Sequence, residues 1–204
     1  MIKPSARETA QRLVILKAQV VHAISTPPPG ILSHRAMSKE EQRQVTQACR
    51  KLSDQFIQAM KSQRLWNAMT GEEKEFLASV PPRVNLQQHI NATWRIEAVA
   101  ALMWALRMIP DFPPFDRQTD HYMLRLIPDE DPRQFFERAA LLPEEEIERK
   151  RSLAELWHWR SRTRQSDEEK RPLPPKLGLS SYDEIVRKVA GEAARKGELA
   201  GLIE

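Results

Sequence analysis

Between Ala98 and Leu106 the chain places nine apolar residues in succession, and Pro110 stops whatever they form. A run of that length is long for a strand and short of the roughly 18 residues that cross a bilayer. It reads as part of a helix over about 86–109 that is apolar on all sides, and such a helix is normally enclosed by others. The composition agrees: six Gly against fifteen Pro leaves little for tight hairpins and much for firm helix stops. Leu124–Ile127 is apolar enough for a short strand, but no alternating segment of convincing length occurs. The predicted fold is mainly α, a single-domain helical bundle of about seven to nine helices around the central hydrophobic helix at 86–109.

Helix starts are marked by hydroxyl residues three before a Glu, a spacing at which each side chain satisfies the other's exposed N–H. Ser5–Glu8, Ser38–Glu41, Thr70–Glu73 and Ser181–Glu184 all fit. The first predicted helix runs over 6–24, with Leu13, Leu16, Val20 and Ile24 on one face. The second, over 39–66, carries Val45, Cys49, Leu52, Phe56 and Met60 at helical spacing. A short helix at 71–79 follows, then the apolar one. Shorter pieces are expected at 119–126 and 131–141, a charged helix at 143–166, and a last one after Ser181. Pro-containing loops at 25–37 and 167–180 punctuate what is otherwise one domain over 1–204.

Arg95 and Glu97 stand at the entrance of the apolar helix. At 100° per residue they lie roughly 160° apart around the axis, so they cannot pair with each other. Burying a charge without a partner costs several kcal/mol, so each is expected to find its own partner on another element. The readings are a pair of structural contacts that pin neighbouring segments, a polar pocket at the helix entrance, or exposure of a frayed first turn. Trp94 lies beside both charges, and the loop after Pro110 supplies Asp116 and Asp120 as partners for a buried arginine. Two prolines and no glycine make that loop unlike a calcium site.

A second cluster, Trp157 to Arg162, places His158 and Trp159 within reach of Arg162 on one helix. Such a group could hold an anion or a base by stacking and charge-assisted hydrogen bonds, or simply pack tryptophans at a helix interface. The N-terminal third is basic: residues 1–66 carry eleven Lys/Arg against four Asp/Glu. On the 39–66 helix, Arg43, Arg50, Lys61 and Arg64 form a stripe that could track phosphates. Asp54 interrupts it, no aromatic accompanies it, and no nucleic-acid-binding signature is present. A solvated face is the simpler reading.

One cysteine, Cys49, excludes an internal disulfide and every cysteine-based metal pattern. The sequence lacks HExxH, GxGxxG, P-loop and GxSxG motifs, and its 5 His are scattered. No metal and no cofactor is expected. The first thirty residues do not form a signal peptide, so the expected setting is cytoplasmic and no membrane partner is expected.

The combination WRIEAVAALMWALRMIP, a Pro/Asp loop and LAELWHWRSR resembles the family called domain of unknown function 4272. Members are similar in a W-R-x-E-A helix, here Trp94, Arg95 and Glu97, and an H-W-x-x-R helix, here His158, Trp159 and Arg162. The resemblance spans about 6–200 and implies a mostly helical domain without implying an activity. Members continue past the position of Glu204 into another aromatic-rich segment, so a site that this segment completes would be incomplete here. With no nucleophile–base or metal spacing present, the function expected is a protein-interaction or regulatory module, acting on a protein partner or on itself. The alternatives are an enzyme or small-anion binder built on Arg95, Glu97, His158 and Arg162, and nucleic-acid binding by the basic stripe.

Overall fold

The computed structural model describes residues 3–28, 37–81, 83–115 and 117–168, with side chains through His158 in the last stretch. Three expected capping boxes set helix starts. Ser5 opens α1 (Ala6–Ser25), Ser38 opens α2 (Lys39–Ser62) and Thr70 opens α3 (Gly71–Ala78), each with the reciprocal Glu bond in place. Asn85 opens α4 (Leu86–Ala105) by accepting from the N–H groups of Gln87 and Gln88 at 2.8 and 3.2 Å. Among the described residues two further helices follow, the short α5 (Arg133–Arg138) and the longer, charged α6 (Glu144–Glu168), together with 3-10 turns at Trp66–Ala68 and His121–Leu126. The described residues hold no strand, and Leu124–Ile127 falls on the second turn and its cap. The Ser181 capping box lies outside the described residues.

Two helices end earlier than the sequence suggests, for one shared reason. After Ser62 the Arg64 N–H donates to the Lys61 carbonyl and the Leu65 N–H to the Met60 carbonyl, at 3.0 and 2.8 Å. After Ala105 the Arg107 and Met108 N–H groups repeat the pattern onto Trp104 and Met103, at 2.9 and 2.8 Å. Both are Schellman closures, in which the residue past the cap turns left-handed and satisfies the last carbonyls. Glycine normally fills that position, but here Arg64 and Arg107 occupy it at φ 60°. Met60 and Leu65, the positions this motif brings together in the first closure, are both buried in the core.

The chain divides into two compact units, residues 1–141 and 142–204. In the first, α1 has the most helical neighbours: it packs against α2, α3, α4 and α5, most extensively along α4. Every residue from Leu13 to Val20 is buried, and Leu13, Ile15, Ile96 and Met103 form the centre of the core with Leu65 and Leu77. Each contributes about 1.5–3 kcal/mol on leaving water. Ile24, expected on the inner face, is half exposed. Lys17 is buried as well; its ammonium donates to the Ile127 carbonyl and pairs with Asp129, both at 2.6 Å, tying α1 to the segment after the 121–126 turn. In the second unit the described element is α6, where Leu153 is buried. Among the described residues no helix is long and apolar enough to cross a membrane.

Candidate functional site

The two charges at the entrance of α4 do different things. Arg95 turns toward the core and meets Glu73 at 3.3 Å. Glu73 is also held by the fork of Arg12, with contacts of 2.9 and 2.5 Å, and accepts the Thr70 N–H at 3.0 Å. The Glu73 side chain is 1% exposed, against 40% for Arg12 and 29% for Arg95. Burial alone would raise its pKa, but the Arg12 hydrogen bonds, the Thr70 N–H and the charges of Arg12 and Arg95 outweigh it and hold the carboxyl down to about 2. A capping residue therefore doubles as the anionic hub that joins α1, α3 and α4. Asp120, expected as a partner for a buried arginine, instead caps the 121–126 turn through the Tyr122 N–H at 2.8 Å. Asp116 lies outside the described residues.

Glu97 lies on the opposite side of α4 and finds neutral donors. Its carboxylate accepts the Thr119 N–H at 2.9 Å and the Thr119 hydroxyl at 2.5 Å, which fastens the loop after Pro110 to the helix. Phe112 provides a second anchor, standing edge-on to Trp104 with ring centroids 5.0 Å apart, and Phe115 leans on Phe112 at 5.2 Å. The loop does not close over the helix. A solvent-open cleft of about 450 Å³ remains, walled by Trp94, Phe112 and Phe115 with Pro113 and Pro114, and bearing Glu97 and Arg117 as charged groups among the described residues.

Trp94, a wall of this cleft, is the last of three exposed apolar residues on α4. Leu86, Ile90 and Trp94 are 52%, 37% and 57% exposed, and they succeed one another four residues apart. With Glu97 they fall within roughly 80° around the helix axis, one face spanning residues 86–97. A helix on a water-facing surface normally carries polar residues there.

Other expected residues are dispersed. In the basic stripe, Lys61 stacks over Trp66 at 5.4 Å, with Lys74 also over that ring, and Arg64 closes α2. Arg43 and Arg50 line a shallow groove with Lys39, Gln42, Thr46 and Gln47, where Arg43 approaches Glu40 at 3.9 Å. His158 belongs to the second unit and is exposed on α6; the side chains of Trp159 and Arg162 lie outside the described residues. Cys49 is buried and desolvation pushes its thiol up, which disfavours the thiolate.

Three features of the site go beyond the sequence-based expectations: Glu73 as hub, Thr119 as the partner of Glu97, and the exposed Leu86–Ile90–Trp94 face. The last has a local signal, since residues spaced four apart share one side of a helix whatever surrounds it. A family model described as a domain of unknown function (DUF4272) matches residues 3–182. No curated protein and no solved structure matches the chain.

Proposed function

We propose that this chain, which belongs to the domain of unknown function 4272 family, acts as a binding module whose docking surface is the exposed face of α4 together with the adjoining cleft. The occupant is a segment of a partner protein that lays apolar side chains along Leu86, Ile90 and Trp94. The observation that carries the reading is the exposure of those three large side chains on a single helical face. Isolated exposed apolar residues are ordinary, but a contiguous apolar patch bordered by polar groups marks an interaction surface. Trp is moreover the residue type most enriched among those that dominate binding energy.

The rival reading as an enzyme needs Arg95 in the pocket, and that guanidinium is engaged by Glu73 on the other side of the helix. To test the module, a photo-crosslinking residue is placed at exposed Asn91 and irradiated in the living host. A discrete adduct, identified by mass spectrometry and lost when Trp94→Ala is added, supports docking at this face. Absence of any adduct, or one indifferent to Trp94, contradicts it.

A further inference from the structure

We infer that the cleft beside Glu97 receives a cationic side chain, the guanidinium or ammonium of an Arg or Lys in the docked segment. The inference rests on the reading of α4 as a docking face and adds a charge to it. Among the described residues, Glu97 has Thr119 as its hydrogen-bond partner and forms no ion pair, although Arg117 lines the same cleft. An ionised carboxylate offers about four acceptor positions, and Thr119 occupies two. The remaining two belong to a negative charge held rigidly by a helix on one side and a pinned loop on the other.

The walls select in the same direction. Trp94, Phe112 and Phe115 line the space. Aromatic faces carry the negative end of the ring quadrupole, so they attract cations and repel anions. An anionic side chain would meet both the rings and Glu97, while a neutral apolar one would leave the carboxylate facing it with no compensation. The volume, about 450 Å³, is sufficient for a long basic side chain and its flanking backbone. Arg117 is the opposing element, but it is exposed, with no ion-pair or hydrogen-bond partner among the described residues. A solvated charge of that kind is screened, whereas Glu97 is fixed. Arg117 therefore weakens the site without reversing its preference.

The test uses the full chain labelled with 5-fluorotryptophan, whose five resonances are assigned by single Trp→Phe replacements. The probes are N-acetylarginine methylamide, its citrulline counterpart, which keeps the shape without the charge, and the glutamate counterpart. The expected result is a saturable shift of the Trp94 resonance with the arginine probe. Citrulline should bind at least tenfold more weakly, and glutamate should give no saturation. Glu97→Gln should remove the arginine preference, and Arg117→Glu should strengthen arginine binding several-fold. Because Glu97→Gln also disturbs the Thr119 contacts, Arg117→Glu is the independent check: it alters charge on an exposed loop residue and leaves Glu97 in place. Equal binding of arginine and citrulline would overturn the charge preference and leave the docking face standing. No saturable shift with any probe, or weaker arginine binding in Arg117→Glu, would overturn the cationic site; the Asn91 adduct reports separately on the face itself.

Discussion

Replacing Glu73 probes the arrangement that gives Arg95 its structural role. The carboxyl sits at about 2 in the folded protein against 4.5 for the free group. That depression corresponds to roughly 3 kcal/mol of folding stability at neutral pH. Breaking a fully buried pair costs about 3–5 kcal/mol, but Arg12 and Arg95 keep partial access to water and can rehydrate, which places Glu73→Ala at about 2–3 kcal/mol. Glu73→Gln retains the volume but, like the protonated acid, lacks the charge, so it should cost a similar amount, about 2–3 kcal/mol. The pH dependence has a definite sign. Because the folded pKa is depressed, the contribution is complete above about 4.5 and disappears as pH falls through 2. Urea unfolding of wild type and Glu73→Gln at several pH values should therefore give midpoints that differ at pH 7 and converge near pH 2. A Glu73→Ala variant within 0.5 kcal/mol of wild type at pH 7, a margin of about the size of an ordinary surface substitution, would refute the hub.

Three further outcomes follow from named groups. His22 is fully buried between Phe56 and Phe76, and burial, assisted by nearby His89, lowers it to about 4. Its protonation is disfavoured in the fold, so stability held above pH 6.5 should fall by roughly 3 kcal/mol between 6.5 and 4; chemical unfolding of His22→Phe should show a visibly shallower slope in that window. Arg64→Gly and Arg107→Gly should each raise stability, by about 0.5–1 kcal/mol in thermal or urea unfolding, since both positions are left-handed. Thr119→Val removes the hydroxyl bond to Glu97 and should cost about 1 kcal/mol; its signature in hydrogen exchange is faster exchange at the Thr119 amide with α1 unchanged.

Much of the fold was legible because helix starts are local. Ser5, Ser38 and Thr70 cap within three residues of themselves, and no distant contact has to be known. The helix ends at Ser62 and Ala105 were less legible, because the signal sought is glycine and the chain closes both with arginine. The prominence of α1 was obscured by composition. Lys17, Gln19 and His22 interrupt its apolar pattern, yet all three are buried, with Lys17 satisfied by Ile127 and Asp129 from far along the chain. At the site, helical geometry was enough to separate Arg95 from Glu97. It could not name Glu73 or Thr119, which lie 22 residues away from their partners on either side. Nor could it show that the loop leaves a cleft open, since that depends on where Phe112 and Phe115 come to rest.

The central claim is that partners dock on the face of α4 that carries Trp94, while Arg95 on the reverse side serves the fold. Its most direct test is the dissociation constant of the segment cross-linked from Asn91, remade as a synthetic peptide and titrated by calorimetry into wild type, Trp94→Ala and Arg50→Ala. The expected result is at least tenfold weaker binding to Trp94→Ala with an unchanged melting temperature, and undiminished binding to Arg50→Ala. Binding that survives in Trp94→Ala and fails in Arg50→Ala would move the surface to the basic groove of α2 and contradict the account.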